Sequence, residues 1–457
     1  MNTQRLKMVH KGSKNTCETV LYWMQATQRV DDNAGLNAAI SYANRYDKSL
    51  TVIFNIVENY PEANQRHYTF MLENIEKVGY KLADKGIEFV VTLGDFSVTL
   101  NPYLKAAFAL VTDYPYGDYL KSVYKTIINT AKTLDIDVLQ AESNVIVPVA
   151  LASQKSEYGA RTIRPKLLRL KDDFLVLEKM PTIARKSNTF FTGFKPTLSD
   201  FIKQLNIDQS VLKSPVFTGG EDEGLKRLNH FIENNLNDYQ HSNDPSKQLN
   251  STLSPYLHFG QISPVRIYLS VEEACDIHNK DRVSCENYLE QLLVRRELGF
   301  NYMHYHKGYD CFETMTEPWA YQTMSVHLGD LRDTIYTIKD YLGFKTHDVY
   351  FNAAMKEMVY TGYMHNYMRM YWAKKIIEWS PNYAMAYETI KTLNNTYFLD
   401  GRDANSYASI AWCFGKHDRA WTERDIFGKL RYMNAAGLKR KFNIDAYVAH
   451  TNTLKNL

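Results

Sequence analysis

The sequence predicts two domains, an α/β unit built on a parallel sheet followed by an all-helical unit. Three observations carry this expectation. At 457 residues the chain is too long for one ordinary core. Its first 145 residues alternate short β-rich runs with longer amphipathic segments. From about Leu225 onward that alternation disappears and helical periodicity takes over.

In the first part the expected strands are Thr19–Met24, Leu50–Val57, Ile87–Leu93, Ala109–Asp113 and Asp137–Glu142, separated by helices near Asp31–Tyr46, Arg66–Lys85 and Leu120–Leu134. Repetition of strand, helix and strand implies a parallel sheet covered on both faces, with ligands at the carboxyl ends of the strands. Neither GxGxxG nor GxxxxGK[ST] follows the first strand, so a nicotinamide or P-loop nucleotide reading has no support. Residues 17–150 form the expected sheet domain, 151–220 a connector and 221–457 the helical domain. The connector includes two loop-like stretches, Ser187–Thr197 and Ser214–Asp222. Later helices are expected at Gly224–Asn235, Ser263–His278, Cys285–Tyr302 and Asn352–Glu378.

Composition narrows the function classes. No apolar run is long enough for a bilayer, and the polar, basic N-terminus lacks a secretory h-region, so a cytoplasmic location is expected. The five cysteines, Cys17, Cys275, Cys285, Cys311 and Cys413, show no CxxC pair and no metal-ligand spacing. This argues against a disulfide scaffold and against a structural metal. Net charge is only +3, so any nucleic-acid surface must be a local patch.

Three segments carry candidate chemistry. Tyr363–Trp379 reads as a helix on which Trp372 and Trp379 lie roughly 10 Å apart along one face. It also carries a central Arg369, which needs a partner if buried; Asp400 in LDGRD offers one. Leu249–Ser263 places Ser251, Thr252 and Ser254 ahead of Pro255, an arrangement that reads by default as a helix cap but also offers donors to a phosphate. Lys416–Lys441 holds eight Lys/Arg against three Asp/Glu, a local net charge of +5, with Trp421, Phe427 and Tyr432 interleaved. A solvated face and a phosphate-contacting patch both fit this stretch.

Together these segments resemble the class II cyclobutane pyrimidine dimer photolyases of the cryptochrome/photolyase family. The resemblance runs from about Val20 to Phe442. It includes YWMQATQRVDDN, SQKSEYGARTIRPKL, LSPYLHFGQIS, VRREL, RMYWAKKIIEW, LDGRD, HDRAW and GKLRYM. It implies a Rossmann-like antenna domain, a helical domain holding FAD, and light-driven electron transfer to a flipped-out dimer in DNA. By position, Tyr239, Thr252, Leu253 and Ser254 would lie along the flavin nucleotide, Asn394 would face the flavin ring, and Arg369 and Asp400 would pair against it. Trp412 would line the lesion pocket. Arg419 and Arg431, with Trp421, Arg440 and Lys441, would contact DNA, and Trp372 and Trp379 would relay electrons. A monomer is expected.

The chain departs from the family pattern at four places. Gln291 stands where a Glu bonds the dimer; it donates a hydrogen bond but supplies no proton. Its neighbour Glu290 should point about 100° away on a helix. Phe351 replaces the second redox Trp, leaving Tyr350, Tyr360 and Tyr371 as candidate bypasses. Ser242 replaces the Arg of RNDP, and DNAGL at Asp32–Leu36 replaces DNWAL beside the antenna site, where the family often holds a deazaflavin. These losses keep open two alternatives: a light-sensing flavoprotein without dimer repair, and a flavin-free DNA-binding protein. The chain stops soon after Phe442, without the long C-terminal extension of many cryptochromes, which lowers the sensor reading.

Overall fold

A computed structural model describes residues 2–454 apart from 14, 59, 188–190, 194–197 and 278–279. Most of the loop expected at Ser187–Thr197, and the expected helix end at His278, lie outside the described residues. In the sheet half the strands are β1 (Leu6–His10), β2 (Thr19–Trp23), β3 (Ser49–Ile56), β4 (Glu88–Leu93), β5 (Ala107–Asp113), β6 (Asp137–Ala141) and β7 (Phe191–Gly193). Helices α1 (Ala34–Arg45), α2 (Gln65–Asp84), α3 (Phe96–Thr99), α4 (Asn101–Lys105) and α5 (Asp118–Thr133) connect them. The strand order is β1-β6-β5-β2-β3-β4-β7, with β1 antiparallel to β6 and every other pair parallel.

Each expected strand and helix of this half is present to within a few residues. The alternation of β2 explains the layers. Val20 and Tyr22 join Leu36 and Ile40 of α1 and Leu72 of α2 in one core. Leu21 and Trp23 face the other way, toward Phe96, Leu104, Tyr124 and Ile127. Strand order reverses between β2 and β5, the crevice where doubly wound sheets bind ligands. Two strands were missing from the sequence expectation. β1 (LKMVH) is an edge strand with no fully buried residue, and β7 is only three residues long.

Helices α6 (Val149–Ala152), α7 (Ala160–Leu170) and α8 (Leu198–Gln204) precede the helical half. That half comprises α9 (Glu221–Asn234), α10 (Ser254–His258), α11 (Pro264–Ile277), α12 (Arg282–Leu289), α13 (Arg296–Tyr305), α14 (Pro318–Val326), α15 (Ile338–Leu342), α16 (Val349–Thr361), α17 (Asn366–Trp379), α18 (Tyr383–Tyr397), α19 (Ala404–Cys413), α20 (Ala435–Lys441) and α21 (Ile444–Thr453). No helix among the described residues is long and apolar enough to cross a membrane.

Three expectations need correction. The helix expected over Asn352–Glu378 is two helices, because Gly362 adopts φ +81° and turns the chain between α16 and α17. The helix expected over Cys285–Tyr302 contains one wide π-turn at Glu290–Arg295, a feature often found at functional sites. Cys275 and Cys285 form a disulfide between α11 and α12, with Cα atoms 6.5 Å apart. Ten residues separate them in sequence, and only the antiparallel helix pair brings them together.

The halves are locked by buried polar groups. Arg29, 1% exposed, donates to the carbonyls of Asp32, Ser143 and Gly260 and to Asn144 Oδ1. Gly260 has φ +66°, and a Cβ there would lie 2.1 Å from the Ala26 carbonyl oxygen. Glu297 of α13 accepts the backbone N–H groups of Ile146 and Val147. Burial pushes its carboxyl up to about 7.

Candidate functional site

The centre of the helical half is the turn between α16 and α17. Gly362 leads into Tyr363, Met364 and the α17 cap His365. Arg369, one turn into α17, donates through Nη1 to Asp400 Oδ1 at 3.0 Å and through Nε to the Met364 carbonyl at 2.9 Å. Its guanidinium lies 4.1 Å from the Phe398 ring centroid and 5.5 Å from that of Tyr363. Arg369 is half-buried, its acidic partner is Asp400, and two aromatic faces flank the pair.

Asp400 sits in a tight turn after α18 that folds back onto Asn394. A Cβ at Gly401 would lie 2.7 Å from the Asn394 carbonyl oxygen, so only glycine permits this approach. Asn394 is buried and donates to Asn395 Oδ1 at 2.9 Å. Behind the turn, buried Glu357 accepts the His365 N–H at 3.0 Å and the Tyr447 hydroxyl at 2.6 Å. Burial pushes its carboxyl up to about 7. Sequence reading missed Gly401, Glu357 and Tyr447; the glycine in LDGRD was the one visible signal.

A second cluster adjoins the α9 helix. Tyr239 packs edge-on against Phe231 and Tyr288, and the Tyr288 hydroxyl donates to Ser251 Oγ at 3.2 Å. Thr252 adopts φ +54°, a costly conformation for a β-branched residue, and its Oγ1 accepts from Arg227 at 3.1 Å. Leu253 is buried and Ser254 opens α10. The default cap reading fails here: α10 begins without a side-chain cap and has only five residues. The Ser242 carbonyl accepts from His365 Nε2 at 2.9 Å, which ties the Tyr239 turn to the start of α17.

These residues fit an anionic dinucleotide. Asn250, Ser251 and Thr252 line a cavity of about 330 Å³ together with Lys226, Arg227 and His230, within the usual ligand range of ~300–1,000 Å³. Asn250 Nδ2, on the wall of this cavity, is a buried donor with no hydrogen-bond acceptor at bonding geometry among the described residues, which favours an added acceptor. The antenna crevice fits less well. Asp113 Oδ2 accepts the N–H groups of Gln25, Ala26 and Thr27, and Oδ1 accepts the Tyr22 hydroxyl, so the switch point is filled by the chain itself. Asp32, Ala34 and Asn37 border a small cavity of about 40 Å³ shared with Arg5, Phe174 and Val265.

The cation-rich segment after α19 divides in space. Trp412 is half-buried between two cations, Arg431 at 5.0 Å and the fully buried Lys374 at 5.8 Å from its ring centroid. Burial lowers the Lys374 ammonium to about 8, and its Nζ donates to the Cys413 carbonyl at 2.5 Å. Arg431 also stacks 4.1 Å from Trp421, and Arg419 lies over the same ring at 5.0 Å. Arg431 is held by two hydrogen bonds to Asp418, at 2.9 and 3.1 Å. It is therefore a neutralised neighbour of Trp412, whereas Arg419 is exposed.

Arg440 and Lys441 lie on α20, exposed, where Lys441 contacts Tyr367. The patch expected from one stretch is thus two surfaces. Phe427 is core, and Lys416 is buried against Glu317. Gln291 is exposed on the π-turn; its carbonyl accepts the Arg296 N–H, and its side-chain amide has no hydrogen-bond partner among the described residues. Glu290 is drawn away by a two-bond pairing with Arg164 at 2.7 and 3.0 Å.

Trp372 and Trp379 are both buried. The Trp372 indole N–H points at Met355 Sδ, 3.0 Å away, and its ring meets Phe398 at 6.1 Å. Phe351 packs 5.1 Å from Trp379. The expected bypass tyrosines are elsewhere: Tyr350 bonds Asp445, Tyr371 bonds Asp348 and Tyr360 packs on Phe344. Tyr336, unnoticed in sequence, is the tyrosine against Trp379.

Solved structures share this architecture. A class III photolyase from Agrobacterium tumefaciens superposes with a TM-score of 0.75 at 17% identity, over 96% of this chain and 87% of that one. An archaeal photolyase from Sulfolobus tokodaii, solved with two FAD molecules, gives 0.68 at 17% identity, over 94% and 89%. The DNA photolyase family model matches residues 20–185. A deoxyribodipyrimidine photo-lyase of Methanothermobacter thermautotrophicus is 44% identical over 430 residues, 94% of this chain and 93% of the relative. The chain belongs to the DNA photolyase family.

Proposed function

We propose that this protein is a class II photolyase, a carbon–carbon lyase that uses light and FAD to split cyclobutane pyrimidine dimers in DNA. The observation that carries the reading is the Arg369–Asp400 pair, flanked by Phe398 and Tyr363, with Asn394 on the same folded turn. When bound and reduced, FAD supplies the photoexcited electron that opens the cyclobutane ring. The chain's own part is binding, positioning and exclusion of water. Asn250, Ser251 and Thr252, beside Arg227, would take the diphosphate; Arg369 and Asp400 would set the charge beside the flavin ring; Asn394 would present its amide there.

A dimer inside a duplex must leave the stack to reach such a site, and damaged pairs give way most cheaply. The half-buried face of Trp412 would receive it, because an indole offers stacking worth roughly 1–3 kcal/mol per base. Arg419 would hold the flanking phosphate, and Arg431 would orient both indoles. Gln291, exposed on its π-turn, would donate a hydrogen bond to the dimer.

The test is a spectrum of the purified protein followed by dimer repair with and without blue light, after chemical reduction. A bound flavin and light-dependent loss of dimers are expected. A colourless protein overturns the reading. Bound flavin with every dimer intact would instead favour the light-sensing reading, which the missing carboxylate at Gln291 motivates.

A further inference from the structure

We infer that Lys374, buried against Trp412, is a positioning residue for dimer recognition, its charge fixing the indole that would receive the dimer. The inference rests on the reading of Trp412 given above. Lys374 is fully buried on α17, and among the described residues no carboxylate pairs with it. Taking a lone ammonium out of water is costly. A Met side chain would fill much the same space without that cost, so the charge itself calls for a role.

What the charge touches supplies that role. α19 ends at Cys413, and the last carbonyls of a helix find no partner within it. The Phe414 and Lys416 N–H groups donate to the Ala411 carbonyl, and the Gly415 N–H donates to that of Trp412. The Thr316 hydroxyl donates to the Phe414 carbonyl. The Cys413 carbonyl takes the Lys374 ammonium, a cation at the helix end where the dipole favours one. The same ammonium lies 5.8 Å from the Trp412 ring centroid and 5.9 Å from that of Phe427.

Trp412 is the inner indole of a ladder in which cations and indoles alternate. Lys374 is followed by Trp412, Arg431, Trp421 and Arg419, with cation-to-centroid distances of 5.8, 5.0, 4.1 and 5.0 Å. Arg431 is tied to Asp418 and Arg419 is exposed, so Lys374 is the buried root of the ladder. Cation–π attraction is strongest where the cation is desolvated. A neutral amine at this position would still reach the Cys413 carbonyl but would no longer attract the ring.

Burial lowers the Lys374 ammonium to about 8, so the charge is present below that pH and lost above it. The groups that bear on it are Cys413, Asp418 and Arg431. Burial pushes the Cys413 thiol of α19 up to about 11, and it stays neutral. Asp418, on the segment after α19, is partly desolvated, yet its bonds from Arg431 hold its carboxyl below the ordinary range. Arg431 is a permanent cation. On α17 itself, Lys375 is paired with Glu378. None of these groups changes charge near pH 8, so a step there reports Lys374.

The experiment uses the flavin-loaded protein in the dark, from about pH 6 to about pH 9. It measures equilibrium affinity for an oligonucleotide carrying one thymine dimer and for the same oligonucleotide undamaged. The preference for the dimer, the ratio of the two, should fall about tenfold as pH rises through 8. Affinity for undamaged DNA should stay level. Lys374→Met should show the lower preference at every pH, without a step, and should keep its flavin. A wild-type preference that is flat across pH 8 overturns the inference, and that series needs no variant to fold. So does a step that persists in Lys374→Met. Trp412→Ala distinguishes the two failures. If it loses the preference while the wild-type curve is flat, only Lys374 is wrongly assigned. If it prefers the dimer as the wild type does, the reading of Trp412 itself is wrong.

Discussion

At the residue scale, charge in buried places explains most of the site. Arg369 is tolerable because Asp400, Phe398 and Tyr363 surround it. Replacing Asp400 with Ala leaves the guanidinium unpaired, and breaking such a pair costs several kcal/mol, about 3–5 where it is fully buried. We expect the Asp400→Ala protein to purify without flavin, read as the absorbance ratio of flavin to protein. Glu357 gives a pH signature. Its folded carboxyl sits at about 7, above the ordinary 4.5, so the native state holds more protons than the unfolded chain between those values. Its contribution is full below pH 4.5 and is lost as pH rises through 7. Both hydrogen bonds to Glu357 reach one oxygen, which the Gln carbonyl reproduces. Glu357→Gln should therefore flatten the stability curve between pH 4.5 and 7 and stabilise the protein at pH 8, by on the order of 3 kcal/mol. Denaturant melts at pH 5 and pH 8 check this; a wild-type advantage at pH 8 would refute it. The two arginines on the Trp421 ring should also behave differently. Arg419→Gln should reduce the salt slope of DNA binding by about 1, as loss of one phosphate contact does. Arg431→Gln should leave the slope nearly unchanged and narrow the preference for dimer-containing over undamaged DNA, because Asp418 already neutralises it.

At the element scale, turns do the positioning. The break between α16 and α17 and the turn after α18 bring Arg369, Asn394 and Asp400 together, and each depends on a glycine. Gly401→Ala would force a Cβ to within 2.7 Å of the Asn394 carbonyl. The turn must open, at a cost of roughly 1–3 kcal/mol. We expect weakened flavin retention from a folded protein, measured by flavin release on mild heating. If flavin is held as in the wild type, Asn394 and Asp400 do not need this approach. The helices themselves were readable because apolar residues recur along one face. The break at Gly362 was not, since Tyr363–Trp379 continues the same periodicity with only one glycine as a sign. The π-turn at Gln291 likewise leaves the apolar pattern of its helix almost intact. β1 escaped notice for the opposite reason: LKMVH is a short edge strand without strict apolar–polar alternation, its Leu6 and Val9 packing on the two sheet faces.

At the scale of the molecule, the two halves act as one because Arg29, Glu297 and the close approach at Gly260 seal their contact. Net charge of +3 spread over 457 residues leaves DNA attraction to local surfaces. One of these is the Arg419–Trp421 edge beside Trp412; α20 is another. The switch point filled by Asp113 and its partners leads us to expect one flavin per chain and no second chromophore. A purified protein carrying a second absorbing species in equal amount would contradict that.

By itself the sequence determined the two-domain plan, the parallel order of the inner sheet and the need of Arg369 for an acidic partner. These follow from local periodicity and from the cost of burying a lone charge, and both are written in neighbouring residues. Only the tertiary structure decided that Glu357 meets Tyr447 ninety residues away, that Asp418 silences Arg431, that Cys275 finds Cys285, and that Tyr336 rather than Tyr350, Tyr360 or Tyr371 stands against Trp379. Those pairings depend on how helices cross, a property of the packed whole that no stretch of chain encodes alone.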